Sequence, residues 1–503
     1  MTRHSILAAS FGLVLAILSA AQAADAPAKN SKPAKAVEPA KPAIEVIHVT
    51  IHPAAAPRPA LKYHLLPTFL ESMPGDAVPC YLKALMLHVE ISSDMCNKEL
   101  HNKRSSSDLA EAWNWLATPL DKLPRDRVRK LVDAFGGDVR ELLELAVRRE
   151  HCNWDPPVRH GRVAEIPLPE VQRFRQLGCI VALRARLQIA EGRYKEAIAS
   201  LQTGYGMARQ VNEQPVLISG LIATVITQMM NDQLLTLCQQ SGAPNLYWSI
   251  AELPSPWIDR EKSLGAEYDA LYLQWPELQG LRHAQYTPEQ WNLVLRKAAS
   301  EMVRFEIEDC QSRMSDKERV AKIDAMIAHA LDGVSRAKAE MLAAGYTHKE
   351  LDAMPPAQIV MLYSLDTYDA IRDERLKWWH LPYAQAGDGM IRAEHEIPSA
   401  TKKELIPMAS TILPLVSNAS FMFARIDRAL AAMRCIEALR LYAAAHDGEL
   451  PATLDEITEV PIPLNPVTGK PFGYHLEGKT AVLDADGALT YVPRPQYRVA
   501  VAK

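Results

Sequence analysis

The sequence predicts a mostly α-helical protein: a multi-helix body followed by a small C-terminal α/β module, in which one long helix precedes a β hairpin. Three observations carry this prediction. From Leu61 to about Ser417, apolar residues recur at spacings of three and four, the period of a helix with one buried face. Strand-like alternation is nearly absent over the same stretch. After Ala445 the chain changes to closely spaced Gly and Pro with short alternating runs.

In order along the chain, residues 1–23 read as a signal peptide. Arg3 and His4 form a basic start, Ile6 to Ala21 is apolar apart from Ser10 and Ser19, and Ala21-Gln22-Ala23 is a small-x-small cleavage site. The apolar run is shorter than the roughly 20 residues a membrane-spanning helix needs. No Cys follows it for lipid attachment. The expected address is therefore periplasmic or cell-envelope, with anchoring by an uncleaved N-terminal segment as the alternative and no integral membrane span after cleavage. Residues 24–60 are rich in Ala, Pro and Lys and read as a disordered linker, with too little apolar surface to offset the entropy of ordering. Within it, Glu45 to Ile51 alternates and is a candidate edge strand.

Residues 61–417 form the predicted all-helical body. Pro79 to Ile91 carries Tyr81, Leu82, Leu85, Met86 and Val89 at the spacing of a buried face, and Asp108 to Leu116 repeats the pattern. Gly136-Gly137 stops one helix, and Asp138 with Glu141 suggests a capping box for the next. Val171–Ala190 and Arg193–Val211 form a pair around Gly192. Further helices are expected over Pro215–Gln239, Asp259–Leu273, Pro288–Met314, Asp316–Ala344 and Pro356–Trp379. Residues 418–503 hold the long helix, Ser420 to Ala445, ended by Gly448. Pro461, Pro463 and Pro466 then enforce an extended stretch. Phe472 to Tyr474 and Thr480 to Leu483 make a hairpin around Glu477-Gly478, extended by Ala488 to Val492. The helix has a main stripe of Ile426, Leu430 and Met433 and a second apolar side with Ala438, Leu441 and Tyr442, so it needs more than one covering neighbour.

Several runs together resemble a group of uncharacterised exported helical proteins of planctomycete bacteria. They are Leu61 to Pro67, Cys152-Asn-Trp154, Pro244 to Trp248 with Leu253-Pro254 and Pro256, Arg425-Ile-Asp-Arg428, and Glu437 to Arg440 through Gly448, Leu450-Pro451, Asn465-Pro466 and Phe472. The resemblance implies export and a helical body and brings no activity. The C-terminal segment, with Tyr442, Gly448, Leu450-Pro451 and Asn465-Pro466, resembles the tail of a type II secretion pseudopilin. Ala185, Gly192, Tyr194, Ala197 and Leu201 resemble one tetratricopeptide hairpin.

Composition narrows function. The net charge is −4, with +3 in residues 1–60 and −7 in the rest, so the body lacks the basic footprint of a nucleic-acid binder. The seven cysteines are scattered without a Cys-x-x-Cys pair and read as buried thiols rather than metal ligands. His151, Cys152, Asp155 and His160 cluster, but in no zinc spacing. Glu394-His395-Glu396 lacks the second His of a metalloprotease, and Pro398 argues against a helix there. Arg425, Asp427, Arg428, Arg434, Glu437, Arg440 and His446 read as a solvated face of the long helix. Asn465, Asp484 and Asp486 have the composition of turns as much as of a calcium site. No phosphate loop, nucleophile elbow or dinucleotide fingerprint occurs.

The expectation is therefore an exported, non-catalytic helical scaffold or binding protein with no cofactor and no metal. Its catalytic residues are unknown, and its partner is a protein or other cell-envelope macromolecule. The alternatives are an envelope hydrolase whose acid/base pair comes from separate helices, or a component of a secretion or pilus-like assembly.

Overall fold

A computed structural model describes residues 44–101, 108–156, 169–309, 314–413, 417–487 and 493–502. It is mostly α with a small sheet, the class the periodicity predicts. Three hydrophobic cores organise it.

The first core gathers α1 (Val78–His101), α2 (Asp108–Ala117), α3 (Arg125–Ala134), α4 (Asp138–Val147), α5 (Pro169–Ala190), α6 (Tyr194–Val211) and α7 (Leu217–Cys238). α7 buries Leu221, Ile222, Ile226, Met230, Leu234 and Leu237 and is apolar over most of its circumference, so it becomes the central helix, covered by α5 and α6. Gly192, at φ +73°, turns α5 into α6. Gly204 lets α6 lie close to α7, because a Cβ there would collide with Met230.

After α8 (Tyr247–Ala251), three short helices lead from the first core, which still takes in Leu253, Trp257, Ile258 and Leu264, to the second, which begins at Leu271. They are α9 (Arg260–Ser263), α10 (Gly265–Tyr268) and α11 (Ala270–Gln274), followed by a 3-10 helix (Pro276–His283). Then come α12 (Pro288–Asp309), α13 (Asp316–Asp332), α14 (Val334–Ala343), α15 (His348–Ala353), α16 (Pro356–Leu376), α17 (Tyr383–Thr401) and α18 (Met408–Ile412). Trp275, Trp291, Met302, Met341 and Leu405 pack around Leu362, Leu365 and Tyr368 of α16.

The third core lies between α19 (Ser417–Ala445) and a four-stranded sheet. Its strands are β1 (Ile44–Ile51), β4 (Gly473–Glu477), β5 (Thr480–Asp484) and β6 (Arg494–Val501), in the order β1-β6-β5-β4. β4–β5 and β5–β6 are antiparallel; β1 joins β6 in parallel, Ile44 opposite Arg494 through Ile51 opposite Val501. A second, small sheet pairs β2 (Met73–Asp76) with β3 (Arg149–His151).

Several expectations are corrected. The stretch read as a disordered linker to residue 60 is ordered from Ile44, because Val49 and Ile51 find a core in the tail sheet; the leader and residues 24–43 lie outside the described residues. The third tail strand is β6, while Ala488–Val492 lies outside the described residues. Asp138 is the first residue of α4 and makes no side-chain cap; Gly137 precedes it at φ +57°. The helix expected over Asp316–Ala344 divides at Gly333, and α17 runs through Pro398. Along α19, Ile426, Leu430 and Met433 do face the first core, while Ala438 and Leu441 meet the sheet core with Leu454, Ile457 and Phe472.

His88 of α1 is buried, stacked 5.0 Å from Phe135, and among the described residues neither ring nitrogen has a hydrogen-bond partner. Burial, with Arg173 nearby, pushes its pKa down to about 4. An unfolded histidine titrates near 6.5, so below that pH the unfolded chain binds a proton that the folded chain refuses. Stability should therefore fall as pH drops from about 6.5 to about 4, by up to roughly 3 kcal/mol from this residue. Urea midpoints across that range should show the loss in the wild type and a smaller slope in His88→Leu; equal slopes would remove His88 as the source.

Candidate functional site

The residues singled out in the sequence are mostly clasps between elements. In the His151–Asp155 loop, Cys152 Sγ faces Gln210 O at 3.6 Å and the Trp154 indole N–H donates to the same carbonyl at 2.8 Å. Trp154 stacks on Tyr81 and meets Phe174 edge-on. His151 is exposed and His160 lies outside the described residues. Trp154→Ala should cost about 2–3 kcal/mol in chemical denaturation, below the 3–5 kcal/mol of a fully enclosed ring because Trp154 is only half-buried.

The face of α19 read as solvated is instead largely interior. Asp427 accepts the Trp257 backbone N–H at 2.7 Å. Arg428 donates to the carbonyls of Ala485, Asp486 and Gly487. Arg434 reaches the Tyr247 hydroxyl at 2.9 Å, and that hydroxyl donates to Pro461 O. Glu437 and Arg440 form a buried ion pair at 2.9 and 3.0 Å. Arg440 also donates to His52 O (3.1 Å), Pro244 O (3.2 Å) and Ala243 O (2.8 Å), binding α19 to the exit of β1 and the loop before α8. Asn465 spends its amide within the tail, donating to Asp486 O and accepting from Val467 N. Asp484 accepts from Gln496 and Asp486 from Arg494. Among the described residues, no group of three or more His, Cys, Asp or Glu side chains is arranged to hold a metal ion.

An acid/base pair would show as two carboxylates with raised pKa values facing one cleft. Burial does push Glu267 up to about 7 and Asp427 up to about 6, and it raises Glu404. Each, however, accepts backbone N–H groups: Glu267 from Leu217 at the start of α7, Asp427 from Trp257, Glu404 from Ala409 and Ser410. These carboxylates cap and fasten helices. Asp232 is exposed on α7, where the Gln228 side-chain amide donates to its carboxylate at 2.8 Å.

Two features escaped the sequence reading. The first is a cleft between α3, α4, α5 and the start of α6. An apolar arm of about 90 Å³ is lined by residues such as Phe135, Val139, Leu143 and Leu177, and it shares Val132, Asp133, Arg140 and Arg184 with an arm of about 190 Å³ to which Arg129 and Arg193 also contribute. Four arginines, from α3, α4, α5 and the residue just before α6, line it, which no local spacing announces. The second is a set of exposed apolar side chains on α1 and in the segment ahead of it. α1 buries Tyr81, Ala84, Leu85 and His88, while Leu82, Met86 and Val89, expected on the same buried face, point to solvent. In the turn ahead of β2, Phe69 is 89% and Leu70 93% exposed, with Leu61 and Met73 also exposed.

Comparison with protein-family models, with curated proteins and with solved structures returns no match to this chain. Among the described residues, no helix is long and apolar enough to cross a membrane.

Proposed function

We propose that this protein is exported to the cell envelope and acts there as a non-catalytic binding protein or scaffold, docking another envelope protein through the apolar surface between Leu61 and Val89. The observation that carries the reading is that surface. Leu82, Met86 and Val89 stand at i, i+4 and i+7 on one face of α1, with the exposed Phe69-Leu70 turn preceding it in the chain. Large exposed apolar side chains that share a helix face are favoured when covered. A ridge with helical spacing is complementary to the groove of a partner helix.

Photo-crosslinking from position 86 in the exported protein tests this. Discrete protein adducts that disappear in Leu70→Glu with Leu82→Glu support docking. Adducts to lipid alone, or adducts unchanged by those substitutions, would overturn it. N-terminal sequencing of the same material checks export, with a first residue near Ala24 as the expected result.

A further inference from the structure

We propose that the cleft between α3, α4, α5 and α6 binds a small aliphatic carboxylate, with its carbon chain in the apolar arm and its carboxylate bridging Arg140 and Arg184. The proposal goes beyond docking at α1 and uses none of the same residues.

The cationic arm is unevenly neutralised. Arg129 and Arg193 are both held by Glu191, Arg129 at 2.5 Å, with Asp126 and Glu196 adding a second partner to each. Arg140 and Arg184, by contrast, share Glu144 at 3.9 and 3.5 Å, and among the described residues Arg140 has besides it only the largely exposed Glu141, at 3.7 Å. These separations are long for charge-assisted hydrogen bonds, which close to 2.7–2.9 Å. Arg184 spends its Nε on Ser200 at 3.0 Å and keeps its side chain only 13% exposed. Burial depresses its pKa to about 10, with Arg140 adding like-charge repulsion. Two guanidinium groups thus stand at the mouth of an apolar arm with donor capacity that the protein's own carboxylates meet only at a distance. A planar carboxylate matches that fork, whereas a cation would be repelled. Asp133, which lines both arms, disfavours a second negative charge and so a dianionic phosphate.

The apolar arm sets the other half of the ligand. Beyond Asp133, Arg140 and Arg184, its walls are apolar, with the buried side chains of Val132, Phe135, Val139, Leu143, Leu177 and Val181 among them. Its roughly 90 Å³ is smaller than the cavity of about 150 Å³ that takes a benzene, so it admits only a short chain. The class is therefore a short aliphatic acid. The same chemistry is presented by a free acid and by a peptide ending in Leu or Val.

Calorimetric titration of the full chain with propanoate, butanoate and pentanoate tests it, alongside pentylamine, pentanol, and a peptide ending in Leu as free acid and as amide. Affinity should rise about fourfold per methylene until the arm is full. Arg140→Gln, which alters an exposed side chain, should weaken carboxylate binding about tenfold. Leu143→Trp should abolish the chain-length dependence, and Arg127→Gln, on α3 but outside the cleft, should change nothing. Melting of each variant without ligand reports its folding, and Arg140→Gln keeps the test valid where Leu143→Trp fails to fold. Pentanoate binding with no peptide binding identifies a free acid; binding of the peptide acid but not the amide identifies a chain terminus. Equal affinity for pentylamine, an unchanged affinity in Arg140→Gln, or no saturable binding by any of the acids overturns the proposal.

Discussion

Arg440→Ala is expected to destabilise the protein by about 3–5 kcal/mol, the cost of removing one partner of a buried ion pair. Glu437 would be left buried without its counter-charge, and the carbonyls of His52, Ala243 and Pro244 would lose their donor with little access to water. Arg440→Lys should recover only part of the loss. An ammonium carries the charge but lacks the planar fork that reaches Glu437 and three carbonyls on separate elements at once. Urea denaturation of the three proteins measures this. A midpoint for Arg440→Ala within error of the wild type would remove the pair as the fastener of α19.

A chain beginning at Pro53, without β1, should lose comparable stability and also aggregate. Val49 is 1% and Ile51 0% exposed, and burying two such side chains contributes about 3–6 kcal/mol. Deleting them opens the third core and turns β6, now an inner strand, into an unpaired edge whose N–H and C=O groups invite other chains. Light scattering and urea midpoints report the two effects separately. A peptide spanning Ile44 to Ile51, supplied in excess, should reduce the aggregation. A truncated chain as stable and monodisperse as the intact one would show that β1 adds nothing to the tail.

Both predictions concern contacts between residues far apart in the chain, and here the sequence was least legible. The resembling runs of the sequence are scattered, yet several converge. Tyr63 O accepts from Ser249, His64 meets Glu252, Asn245 donates to Glu437 O, Trp257 N–H reaches Asp427, and Arg440 holds Ala243 and Pro244. Their shared feature is the packing of α8, α19 and the segments that cross them. The functional candidates were less legible still. Arg129, Arg140, Arg184 and Arg193 look like ordinary surface charges one helix at a time, and Met86 looks like a core residue because an apolar helical position does not announce whether a neighbour covers it.

By itself the sequence determined what depends on neighbours along the chain. The three-to-four period of apolar residues specified the helical body, the change in composition after Ala445 marked the tail, and Gly478 between two alternating runs set the β4–β5 hairpin. Those outcomes follow from backbone geometry, which makes residues three and four apart neighbours in a helix and residues two apart neighbours in a strand. Tertiary structure alone decided that β1 crosses to the far end of the chain to complete the sheet. It also decided that Glu437 and Arg440 are interior and that one face of α1 stays open. Burial and charge pairing are set by which distant surfaces meet, and no local period records that.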